Sequence, residues 1–135
     1  MEKYKDVLLL IARVLFSLIF ISGAIEHLTK VGYMAGYAKA MGVPLPHLAI
    51  IVTGLMLLAG SISILLGWKI SYGAIILIVF LIPVTYQMHF LPMLHATDAM
   101  QKQMEMINFL KNLGLMGGAI YIALLGAGKY SIDKK

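Results

Sequence analysis

Four stretches of this chain, 7–25, 48–66, 70–91 and 109–127, are mostly apolar and long enough to cross a hydrocarbon layer. A membrane helix needs about 20 such residues. In lipid, every backbone N–H and C=O must be satisfied internally, so only helices and closed barrels can span. Barrel strands alternate polar and apolar residues in short segments, and these runs do not. Composition agrees: 13% of the residues are charged, against about a quarter in soluble domains, and the mean hydropathy is +0.90. The expected fold is therefore all-α, an antiparallel four-helix transmembrane bundle with the lipid bilayer as its solvent. Residues 1–135 are expected to form one domain.

The connections are unequal. Residues 67–69 form a tight turn, 92–108 a medium loop and 26–47 a long first loop. Within that loop Tyr33, Tyr37 and Met41 recur at a four-residue spacing, with Met34 and Ala38 beside them. This predicts a short amphipathic helix presenting one apolar face, stopped by Gly42-Val43-Pro44-Leu45-Pro46.

Orientation follows the distribution of Lys and Arg. Lys3, Lys5, Lys69, Lys129, Lys134 and Lys135 fall on one side with Arg13 near them, and Lys30, Lys39, Lys102 and Lys111 on the other. Both termini are thus expected in the cytoplasm. Lys3, Lys5 and Ser22-Gly23-Ala24 loosely resemble a cleaved signal peptide. Arg13, in the middle of the apolar run, argues against cleavage. The net charge of +5 does not gather into one basic face, so no nucleic-acid partner is expected. The absence of cysteine excludes disulfides, thiolate metal sites, iron–sulfur clusters and Cys nucleophiles.

Polar groups at the ends of the spans are the candidate site. His27 ends the first span and Glu26 precedes it. His47 begins the second, His89 lies near the end of the third, and His95 follows in the loop. The topology puts all four histidines on the outer side with Glu26, Asp98 and Glu105. Imidazoles titrate near neutrality and bind metals, so this mouth can host a metal, a proton relay or a polar headgroup. The plain alternative is a solvated interface. The spacing lacks a compact ligand signature, and no metal is assigned. Pro83 interrupts the third span, and Tyr86 and Gln87 beyond it offer hydrogen bonds to a quinone-like carbonyl or taper toward the interface. Arg13 lies about two turns inside the first span. An ion pair with Asp133 would close the cytoplasmic end.

Small residues recur in the fourth span, at Gly114 and Gly118 and at Ala119, Ala123 and Ala127. The second span carries Gly54, Ala59, Gly60, Ser61 and Ser63. Such faces allow close helix approach in lipid, within the bundle or between the copies of a homo-oligomer. The scattered methionines read as apolar filling rather than soft-metal ligands.

The stretch Met106 to Asp133, "MINFLKNLGLMGGAIYIALLGAGKYSID", resembles the closing signature of DoxX-like membrane proteins. Its parts are Asn108-Phe109-Leu110-Lys111-Asn112, then Gly117-Gly118, then Gly126, Gly128, Ser131 and Asp133. "LLLIARVLFSLIFISG", "YMAGYAKAMGVPLP" and Leu66-Gly67-Trp68 also resemble the family, and together these segments run over nearly the whole chain. The resemblance implies a small four-helix protein of the bacterial inner membrane. Some relatives are subunits of a thiosulfate:quinone oxidoreductase, and others are partners in membrane redox complexes. Relatives often carry an acidic residue in the second span, where Leu57 stands here, and a lysine after the first span's glycine, where this chain has Glu26 and His27.

These readings imply an accessory or anchoring subunit of a quinone-linked redox or detoxification system, with quinone as the candidate cofactor and a redox enzyme as the partner. The alternative is a small transporter or binding protein for a hydrophobic or weakly acidic molecule. No Ser-His-Asp, P-loop or Rossmann pattern points to a self-sufficient enzyme.

Overall fold

The computed structural model describes residues 1–134. Lys135, counted above among the terminal lysines, lies outside the described residues. The described residues are helical with no strand. After a 3₁₀ turn at Glu2–Tyr4, the elements are α1 (Lys5–Thr29), α2 (Val31–Ala40), α3 (Pro46–Leu66) and α4 (Ile70–Thr85). A π-helical turn (Tyr86–Phe90), α5 (Leu91–His95) and α6 (Ala99–Leu125) complete the order. Four helical stretches are long and apolar enough to cross a membrane, the third running unbroken from Ile70 to His95.

The helices outlast the apolar runs because lipid and hydrogen bonding set different limits. The fourth begins at Ala99 rather than Phe109, started by Asp98, whose carboxylate accepts the Gln101 N–H at 3.1 Å. That bond satisfies one of the orphan donors of a helix start. Pro46 opens α3 at the position where its missing N–H costs nothing, and Gly67, at φ +67°, ends it. Pro83 does not end α4. It sits one turn before the π-helical turn, which re-forms the ladder with one more residue per turn.

α1 packs on α3, α3 on α4 and α4 on α6, each pair antiparallel, while α2 lies across the start of α3. The main core joins Phe20, Leu57, Ile64, Leu77 and Leu81, and a smaller one joins Ala35 and Ala38 to Ile50. The expected short helix is therefore present, and its packed face is only partly the expected one: Ala35 and Ala38 bury with Met34 against them, Tyr33 is exposed, and Tyr37 stands half-exposed at an edge, because small side chains let the helix lie flat on α3. Residues such as Leu15, Ile75 and Leu124 are exposed, as a lipid-facing surface requires.

The end carrying both termini is closed by Arg13, 1% exposed. Its Nη1 donates to the Leu65 carbonyl at 3.0 Å and the Ile64 carbonyl at 3.3 Å, and its Nη2 donates to the Tyr130 carbonyl. The expected Arg13–Asp133 ion pair is not formed. Each charge goes to a helix end of opposite polarity instead: Arg13 to the last carbonyls of α3, Asp133 to the Ile70 N–H at the start of α4, at 3.4 Å. The tail is stitched down by Ile132 and Asp133 N–H groups donating to Leu66 and Gly67 carbonyls, and by Lys129 N–H donating to Asp6.

Candidate functional site

A cavity of about 400 Å³ lies in the opposite half of the bundle, within the size range of small-molecule sites. α1, α2, α3, α4, the π-helical turn and α6 all line it. Its floor is apolar, with Phe20, Leu57, Phe80 and Leu81. Its polar groups are Glu26, His27, Tyr37, Thr53, His89, Lys111 and Asn112.

His27 is held by α3. Gly54 has no side chain to keep α1 away: a Cβ there would stand 3.0 Å from His27 Cβ and 2.8 Å from Leu28 Cδ2. His27 Nδ1 lies 2.9 Å from Thr53 Oγ1, and that hydroxyl donates to the Ala49 carbonyl at 2.6 Å. A hydroxyl has one proton. With it spent on Ala49, Nδ1 donates to Thr53 and Nε2 is left as the ring's accepting nitrogen. Phe80 meets the imidazole edge-on, centroids 6.2 Å apart.

His89 enters from the π-helical turn and pairs with Glu105 of α6, Nδ1 to Oε2 at 2.8 Å. π-helical turns occur preferentially at functional sites, and here the turn brings Val84 and His89, five residues apart, onto one wall. Tyr37 stands at the rim. Burial pushes its phenol above the ordinary range, with the Glu105 carboxylate adding to the effect and then Tyr33, so it remains a neutral O–H donor. Asn112 is 6% exposed and makes no side-chain hydrogen bond to any described residue, although it lines the cavity. Its carboxamide atoms are not sealed in protein but open onto the cavity.

Of the residues singled out from the sequence, Glu26, His27 and His89 meet at this cavity. His47 and His95 are exposed and stand apart from it. Tyr86 faces outward in a groove with Phe90 and Phe109. Gln87 donates to the Met41 carbonyl and fastens the end of α2. The four histidines thus do not form one cluster, and among the described residues no group of three His, Asp or Glu is placed to hold a metal. Lys111 and Asn112 of the closing motif prove to be lining residues, as does Leu57, which sits 3.4 Å from where a Gly23 Cβ would be. Thr53 and Tyr37 were missed. A hydroxyl one turn from Leu57 in the first, otherwise apolar half of the second span was the available signal for Thr53.

The geometry suits a small molecule with a polar head and an apolar body. Nε2 of His27 accepts, Tyr37 donates and Asn112 does both.

The DoxX family model matches residues 8–90. The chain is similar to inner membrane protein YqjF of Escherichia coli (strain K12), 29% identical over 134 residues, 99% of this chain and 95% of the relative. It is also similar to inner membrane protein YphA of the same organism, 31% identical over 133 residues, 97% of this chain and 91% of the relative. No solved structure matched.

Proposed function

The chain belongs to the DoxX family, and from that premise we propose that this multi-pass inner-membrane protein binds a quinone-type molecule as the membrane subunit of a redox or detoxification system. One observation carries the reading: a hydrophobic cavity with the carboxamide of Asn112 open at its wall and free of side-chain hydrogen bonds to the described residues. A quinone fits those residues chemically, since its carbonyl accepts from Asn112 and Tyr37 and a quinol hydroxyl donates to Nε2 of His27. When bound, the quinone supplies two-electron, two-proton redox chemistry. The protein's own groups orient its head and exclude water, with the hydrogen-bonded His89–Glu105 pair beside it. A partner enzyme supplies the electrons, because this chain has no cysteine to hold an iron–sulfur cluster.

The opposite end favours binding over transport. Arg13 commits its guanidinium to three backbone carbonyls, which removes it as a polar station on a path through the bundle.

The test is direct. Protein purified in mild detergent and extracted with hexane should yield isoprenoid quinone by mass spectrometry. His27→Leu, which loses the Thr53 bond and the accepting nitrogen, should retain about tenfold less, the equivalent of one good hydrogen bond. Quinone-free wild-type protein that also binds no added decylubiquinone removes the reading. The Lys and Arg pattern supports cytoplasmic termini, so a fluorescent protein fused after Asp133 should fold and fluoresce, while an alkaline phosphatase fused there should be inactive. The reverse pattern inverts the topology.

A further inference from the structure

The cavity has a mouth, and its position says what can enter. Among the lining residues, Ile19 of α1 is 41% exposed. It lies ten positions before Thr29, the end of α1, about 15 Å down the helix axis. An exposed lining residue at that depth faces hydrocarbon, not water. The other rim belongs to α6, whose exposed Lys111 lines the same cavity. α1 and α6 scarcely touch. Their contact comes lower, where Gly118 approaches Phe16. Gly114 lies between Lys111 and Gly118 on the same helical stripe, and a Cβ built on it meets nothing within 4 Å. The seam between α1 and α6 is therefore open on the bilayer side. Inside it, Asn112 lines the cavity with no side-chain hydrogen bond to any described residue.

We propose that the cavity is entered sideways from the bilayer, through the seam between α1 and α6, by a neutral amphiphile whose carbonyl- or hydroxyl-bearing head hydrogen-bonds Asn112 and whose hydrocarbon tail stays in the seam over Gly114. This rests on the ligand-binding reading above and adds to it the route and the head-group contact. Glu26 and Lys111 flank the upper rim with opposite charges and no ion pair between them. They sit where a head passing inward leaves the polar layer. Below them the floor is apolar, where an ionised head would lose its hydration, and this favours a neutral occupant.

Two variants narrow the seam from its two sides: Gly114→Trp on α6, where the open space receives the ring, and Ile19→Trp on α1. Leu113→Trp adds the same bulk on the face toward Phe109 and serves as the control. With protein in nanodiscs, association of decylubiquinone and of tail-less ubiquinone-0 is followed by stopped-flow and equilibrium retention. The seam variants should slow decylubiquinone association about tenfold or more, as expected for a sterically gated encounter. Leu113→Trp should alter the association of neither probe. Asn112→Leu should weaken equilibrium binding of both probes about tenfold without slowing association. Decylubiquinone entering both seam variants at the wild-type rate overturns the sideways route while the cavity reading stands. Unchanged affinity in Asn112→Leu overturns the head-group contact. Wild-type protein that binds neither probe removes this proposal together with the reading beneath it. Since the two seam variants sit on different helices, misfolding of one leaves the other to decide.

Discussion

Replacing Arg13 by methionine should cost this protein on the order of 3–5 kcal/mol. The side chain is almost wholly buried and is the donor to the Ile64, Leu65 and Tyr130 carbonyls. Methionine fills a similar volume but offers no N–H. The Leu65 and Tyr130 carbonyls then lose this donor and the Ile64 carbonyl keeps only the Gly67 N–H, at about 1–3 kcal/mol for each group left unsatisfied. The loss is local as well as global. Tyr130 and the residues after it are held against the turn after α3 partly through this guanidinium, so the tail should become protease-sensitive before the bundle melts. Arg13→Lys should fall in between, because one ammonium cannot reproduce the planar fork that serves two helix-end carbonyls and the tail at once. Thermal unfolding in detergent and limited proteolysis measure both effects. A methionine variant that melts within about 2 °C of wild type, with its tail still protected, would show that the carbonyls find other donors.

The second large effect is expected at Gly60. There α3 and α4 approach through their backbones: a Cβ on Gly60 would stand 2.7 Å from Leu77 Cγ and 3.1 Å from the Gly73 carbonyl. The arrangement is reciprocal, since a Cβ on Gly73 would stand 3.1 Å from the Gly60 carbonyl and 2.3 Å from Ser63 Oγ. Neither side can yield easily. Leu77 is fully buried, and the Ser63 hydroxyl donates to the Trp68 carbonyl at 2.6 Å, fixing the turn between the helices. Gly60→Leu should therefore push α3 and α4 apart and cost about 3 kcal/mol, the upper part of the range for overpacking. Gly114→Leu, on a glycine with empty space above it, should be close to neutral or slightly stabilising through helix propensity. If the two leucine variants unfold at the same temperature, the close backbone approach is not what holds this helix pair.

This contrast between glycines also shows where the sequence was legible. The four spans and their antiparallel order follow from hydropathy and loop length, because in lipid the backbone has few alternatives. Helix ends did not follow. Asp98 starts α6 by a single capping bond, and Thr29 extends α1 by donating to the Ile25 carbonyl, and neither leaves a trace in a hydropathy profile. The small-residue pattern marked close approach without saying which glycine is pressed and which is open. At the site, Glu26, His27 and His89 were visible as polar residues at the ends of apolar runs. Asn112 stood out through the closing motif alone, and its burial depends on α4 and α6 meeting in space. The expected Arg13–Asp133 pair failed because charge matching along a chain ignores the partial charges that helix ends themselves supply.

The π-helical turn explains the remaining misplacement, and it matters for anyone comparing related chains. Tyr86 and Gln87 stood between a quinone contact and an interface taper, and His89 was one of several histidines; Tyr86 faces outward and His89 lines the cavity. An extra residue in one turn offsets everything beyond it by about 100° around the helix axis. Alignments that place a gap anywhere between Thr85 and Phe90 therefore decide which column of residues is compared with the cavity wall, and an error of a single position there exchanges wall for lipid.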